Sequence, residues 1–200
     1  MARPRIYDDH LRAGLMDATA QVVARGGVDA LSLRQVASGC GTSTNAVYAI
    51  FGSRDGLLSA VMMEAVRSFT AEQRAVAETT DALADLLELG RAYRRWALAH
   101  PELYAVMFGG RISLGAADDP AERIPEGPLS GMQPIVEVIE RGAGTGTMRV
   151  RDSVTAAVSI WAGVHGFVSL EIAQWSHSSL IERDALYEIH LLAISAHWAA

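Results

Sequence analysis

Leu31-Ser-Leu-Arg-Gln-Val-Ala37, followed by Gly41-Thr-Ser-Thr-Asn-Ala-Val-Tyr-Ala-Ile-Phe51, decides how the rest of this chain is read. Ser32 and Gln35 have the capping-box spacing, which opens a helix running through about Ser38. Gly39-Cys-Gly41 breaks that helix. Ser43 is placed to cap a second short helix, Thr44 to Phe51, which Gly52-Ser53 stops. Two short helices around a glycine turn fit a steep crossing of the helix-turn-helix kind. Val47 and Phe51 anchor one face of the second helix, and Thr44, Asn45 and Tyr48 leave its other face with hydrogen-bonding groups. Such a face suits the major groove of DNA, where base edges carry a distinct donor and acceptor code. An ordinary polar face on the surface helix of a bundle fits the same letters.

Outward from this stretch, helical spacing dominates and no alternation of period two stands out. Leu11, Leu15, Ala18 and Val22 mark a first helix that Gly26-Gly27 ends. After the two short helices, longer ones are predicted from about Asp55 to Glu78 and from Asp81 to about His100. Pro101 then opens a short helix ending at Gly109-Gly110. Residues 110–127 read as a surface loop. Met132, Ile135, Val136 and Ile139 mark a helix ending at Gly142, and two long segments close the chain, about Ser153–Trp175 and Ser179–Trp198. The last of these carries a capping-box pattern at Ser179 and Glu182. The expected fold is all-α with about nine helices. Residues 1–55 would form a helix-turn-helix domain and residues 56–200 a helical body for ligand binding and dimerisation.

The 200 residues are half apolar and one-fifth charged, enough to bury a sizeable core. The net charge of −6 is unevenly spread: residues 1–55 sum to +1 and residues 56–200 to −7. A near-neutral head thus precedes an acidic body. All 17 basic residues are Arg, which excludes Schiff-base lysines, a Walker-type phosphate lysine and Ser-x-x-Lys acylation. The single cysteine, Cys40, excludes an intramolecular disulfide framework and a Cys-based zinc site. With no apolar run behind the N-terminal arginines, a reducing, cytoplasmic location is expected.

The stretch Leu31 to Val61 closely resembles the DNA-binding domain of TetR-family transcriptional regulators, through Leu33, Val36, Ala37, Gly41, Ser43, Val47, Tyr48, Phe51, Ser53, Arg54 and Leu57-Leu58. The resemblance implies a homodimer, usually a repressor, whose C-terminal domain binds a small ligand and so releases double-stranded DNA. Carried over position by position, it implies that Arg34, Thr44, Asn45 and Tyr48 face DNA. Ser43 would cap the recognition helix, and Tyr48 and Arg54 would hold backbone phosphate. Arg3 and Arg5 could form an arm reaching the DNA. Ile50 departs from the family, which often has a polar group there. Cys40 stands where a small apolar residue is common, and is expected to be a buried small hydrophobe rather than a redox switch.

In the body, Trp161-Ala-Gly-Val-His-Gly166 with Leu170-Glu171 is similar to the Trp…His-Gly (WHG) type of C-terminal domain in that family, and Gly142-Ala-Gly-Thr-Gly146 with Met148-Arg149 fits its preceding turn. The 18 residues Ser153 to Leu170 lack Asp, Glu, Arg and Lys, nearly a membrane span in length. The polar residues among them, the acids Asp152 and Glu171 at the ends and the amphipathic neighbours favour burial at a dimer interface instead, built from the last two helices. Tyr93, Trp96, Tyr104, Met107, Phe108, Met132, Ile139, Trp161 and His165 are the candidates for lining a mostly apolar ligand pocket. Plain core packing is the competing role for each. His165 falls on a stripe with Val154, Val158, Trp161, Val168 and Ile172.

No enzyme is expected. The Gly142 run follows a helix rather than a strand, so it is a turn and not a nucleotide loop. There is no His-Glu-x-x-His and no Gly-x-Ser-x-Gly elbow. His190 and His197, seven apart, are weak grounds for a metal. No metal and no cofactor are expected.

Overall fold

The computed structural model describes residues 9–109, 130–174 and 182–200. Among them are nine α-helices and no strand: α1 Asp9–Gly26, α2 Leu33–Gly39, α3 Thr44–Phe51, α4 Arg54–Arg74, α5 Ala82–Ala99, α6 Pro101–Phe108, α7 Gln133–Gly144, α8 Ser153–Ile172 and α9 Arg183–Ala196. Arg3, Arg5, the 110–127 loop and Ser179 lie outside the described residues. The chain divides into two compact units, one of residues up to 67 with α6, the other of residues 68–99 and the segments from α7 onward. The helix α4 contributes residues to both.

The first unit is built on a core of Leu15, Met16, Ala20 and Val23 from α1, Val36 and Ala37 from α2, Val47 from α3 and Leu57, Leu58, Val61 and Met62 from α4. Val106 of α6 joins this core. The unit therefore runs past the start of α4 at residue 54 and takes in a helix distant in sequence, because α6 packs on α1. On α1 the buried face is rotated from the spacing expected. Leu15 is buried, but so are Met16, Thr19, Ala20 and Val23, whereas Leu11, Ala18 and Val22 are only partly covered. Thr19 can enter the core because its hydroxyl donates to the Leu15 carbonyl at 2.7 Å, satisfying itself within the helix.

The second unit centres on Ala82, Leu86 and Leu89 of α5, Ile135, Val138 and Ile139 of α7, and Ala156, Ala157 and Ile160 of α8. Tyr187 and Leu191 of α9 are also buried. At Gly90 a side chain would collide with Leu191 at 2.5 Å, so the missing Cβ allows α5 and α9 to approach closely. Tyr187 donates to the Gly90 carbonyl at 2.6 Å across the same contact.

Several helix ends differ by a few residues from their expected places. α4 stops at Arg74, and the chain after it is organised by buried Asp85, which accepts from the Thr79 N–H (2.9 Å) and hydroxyl (2.6 Å) and pairs with Arg141. Burial would raise the Asp85 carboxyl, but the Thr79 bonds and the Arg141 guanidinium outweigh it and hold the group below the usual carboxylate range. α9 starts at Arg183, and its cap, Glu182, makes no side-chain capping bond.

Candidate nucleic-acid interface

The two capping serines do what their spacing suggests. Ser32 accepts from the Gln35 N–H at 3.5 Å and Ser43 from the Ala46 N–H at 3.4 Å. Between the helices the chain turns through Gly41 at φ +65°, and α3 ends on Gly52 at φ +74°, both in the left-handed region that suits glycine. Ala46 and Val47 are buried beneath α3, and Ile50 and Phe51 pack against the same core. Ile50, unusual for its apolar character, is thus used as packing.

What this leaves outward is a polar face. On α3, Asn45 and Tyr48 are exposed, Tyr48 by 51%, with Thr44 half-buried beside them. On α2, Arg34 is exposed, and so is Gln35, to which the spacing assigns only a capping role. The face offers one full charge and several hydrogen-bonding groups, a composition suited to reading base edges as well as holding phosphate. Arg54 is placed differently from the rest. It is half-buried, and its guanidinium donates to the Val28 carbonyl in the turn after α1. Arg12 also matters here, unforeseen from the sequence. Its guanidinium lies 5.3 Å from the centre of the Phe51 ring, clamping α1 to the end of α3. Cys40 is partly buried against the core, and burial with nearby Asp17 pushes its thiol pKa up, away from thiolate chemistry.

The nine pocket candidates do not fall together. Tyr104, Met107 and Phe108 belong to α6 in the first unit, where Tyr104 and Phe108 rings lie 4.9 Å apart and Met107 packs on the core. In the second unit Met132 and Ile139 are core residues. Trp96 donates its indole N–H to Ser68 at 3.0 Å and sits edge-on to Phe69. Tyr93 and Trp161 line a small cavity with Gln73, Leu86, Leu89 and Ile160. Tyr93 hydroxyl and His165 Nδ1 lie 2.8 Å apart, and Trp161 stacks on the His165 ring. Burial lowers the His165 pKa, favouring the neutral ring.

The stripe expected to carry His165 is only partly the buried one. Val154 and Val158 are exposed, and the covered face of α8 runs through Ala156, Ala157, Ile160, Val164 and Val168. His190 is held by packing, its Nε2 3.1 Å from the Gly163 carbonyl and its ring stacked on Phe167. Sequence spacing also gives no sign of the ion pairs from α5. Arg94 grips Glu171 through two bonds of 2.7 and 2.8 Å, and Arg91 grips Glu188 similarly.

Residues 15–61 match the profile of bacterial regulatory proteins of the tetR family, and residues 86–194 match that of a tetracyclin repressor-like C-terminal domain. The HTH-type transcriptional regulator Mb1846 of Mycobacterium bovis is 24% identical over 214 residues, covering 90% of this chain and 88% of that protein. Among solved structures, the putative regulatory protein SCO4313 is 30% identical with a TM-score of 0.71, covering 97% of this chain and 98% of its own. The TetR-family regulator PfmR from Thermus thermophilus shares the fold at 19% identity, with a TM-score of 0.73 over 91% of this chain and 97% of its own. Profiles across both ends of the chain, a helix-turn-helix with an outward polar face and an all-helical body agree: the chain belongs to the TetR family and is a DNA-binding transcriptional regulator.

Proposed function

We propose that this regulator is a homodimeric repressor of the cytoplasm, which leaves a near-palindromic operator when its body binds a small, mostly apolar ligand. The observation that carries the reading is the contrast of outer faces. Arg34, Asn45 and Tyr48 make a polar face on α2 and α3, while α8 and α9 expose Val154, Val158, Leu170, Leu186, Ile189 and Leu192 to solvent. Exposed apolar groups on two helices that pack on each other fit a surface that a partner covers, and a second copy presenting the same helices would meet it by two-fold symmetry. Two recognition helices related by that axis would enter successive major grooves, with Arg34, Ser43, Thr44, Asn45 and Tyr48 against the DNA. α4 carries residues of both units, which makes it the element through which a ligand in the second unit would shift the recognition helices.

The test is titration of the purified protein onto the DNA directly upstream of its own gene, repeated across salt concentrations. Tight, competitor-resistant binding whose log affinity falls linearly with log salt is expected. Binding no tighter than to unrelated DNA there, together with failure to select any genomic fragment, would overturn the proposed repressor role.

A further inference from the structure

Gln73 lies on the last turn of α4 and is only 2% exposed, one of the few polar side chains so deeply buried among the described residues. A primary amide carries two N–H donors and two acceptor lone pairs. The bond described for it is a single long donation, from Nε2 to the Leu89 carbonyl at 3.5 Å. Buried amides are normally satisfied, and unused capacity in an apolar setting is costly.

Gln73 lines the same cavity as Leu86, Leu89, Tyr93, Ile160 and Trp161. The other polar ends around it have close partners: the Tyr93 hydroxyl lies 2.8 Å from His165 Nδ1, and the Trp96 N–H is 3.0 Å from Ser68. No Asp, Glu or Arg lines the cavity among the described residues, so an ion entering it would lose its hydration without a counter-charge. The rest of the wall is apolar, Leu86, Leu89, Ile135, Ile160 and Val164 with the rings of Tyr93 and Trp161, and Phe69 backs Tyr93 edge-on at 5.3 Å. The free space is about 10 Å³, room for a water and no more, so a larger ligand must enlarge the cavity as it binds.

We infer that Gln73 is the polar anchor of the ligand site, and that the ligand is an uncharged, compact, largely apolar molecule with one hydroxyl or amide-like group seated on the Gln73 amide. This rests on the ligand-binding reading of the second unit. Gln73 selects the ligand by its hydrogen bond, and the surrounding apolar wall excludes charged analogues.

Isothermal titration calorimetry of the full chain tests this with four para-substituted toluenes: p-cresol, p-xylene, 4-methylbenzoate and 4-methylbenzylammonium. The expected result is p-cresol binding at least roughly tenfold tighter than p-xylene, a difference a single buried hydrogen bond can supply, and tighter than either ion. Gln73→Met, near in volume, is expected to abolish the preference while retaining p-xylene binding. Equal binding of p-cresol and p-xylene, an ion binding as tightly as p-cresol, no p-cresol binding up to its solubility limit, or an unchanged preference in Gln73→Met would each overturn the inference. Should that variant not fold, the wild-type selectivity decides alone. Operator affinity measured without probe keeps the two readings apart. Its loss would count against the regulator, and the probe series alone judges Gln73.

Discussion

Helices α3 and α8 show two opposite ways of making a surface. α3 has eight residues, too few to be stable alone, and is held by a serine cap, a glycine stop and a buried Ala46–Val47 underside. Its outward face is carried by Asn45 and Tyr48, both polar. α8 has twenty residues, caps itself on Asp152, whose carboxylate accepts the Thr155 N–H at 2.9 Å, and covers only one stripe of its apolar surface. Val154 remains 51% exposed on it, and Leu192 53% and Ile189 65% on α9. A polar face on a helix with a secured underside is suited to a polyanion with patterned base edges. An apolar face left open is suited to another protein surface. The chemistry of the uncovered side, more than the helix itself, tells the two regions apart.

The sharpest way to break this comparison is a charge in the apolar patch. Ile189→Asp should weaken self-association by at least about 30-fold, since truncating a central apolar anchor alone commonly costs about 2 kcal/mol or more. Sedimentation velocity would read this as a shift to monomer, and unchanged sedimentation would remove the patch as a dimer surface. On the polar side, Arg34→Ala or Asn45→Ala should cost roughly 1–3 kcal/mol at one base position if either reads a base. Binding to a set of single-base operator variants would show it as lost discrimination at that position. If neither mutant changes affinity or preference, α3 meets DNA in another register. Ser43→Ala should lower unfolding stability by about 1 kcal/mol through loss of the α3 cap, measured by urea denaturation. Smallest is the effect on salt dependence at Arg54. Because its guanidinium donates to Val28, Arg54→Gln should leave the slope of log affinity against log salt unchanged. A slope smaller by about one would return Arg54 to the phosphate backbone.

Much of the fold is legible in the sequence because its punctuation is local. Ser32, Ser43, Pro101 and the glycines at 41 and 52 act within three or four residues of themselves, and each stands at or beside a helix end in the structure. Faces are harder. Counting apolar letters on α1 misses Thr19, which is polar by name and buried in fact because its hydroxyl bonds back along the helix. The same counting places Val154 and Val158 on the covered stripe of α8. A helix apolar nearly all round gives periodicity nothing to choose by. Gln73 escapes notice for a related reason: nothing in its neighbours on α4 announces that an amide there will be enclosed.

The sequence by itself determined the helical class, most of the helix ends and the polar outer face of α3, all consequences of short-range hydrogen bonding and side-chain type. Only the tertiary structure decided that α6 belongs with the first unit and that Arg54 turns to Val28. It also joined Arg94 to Glu171, 77 residues away, and enclosed Gln73 beside Tyr93. These depend on which surfaces meet, and a pairing between distant segments leaves no periodic trace in either one.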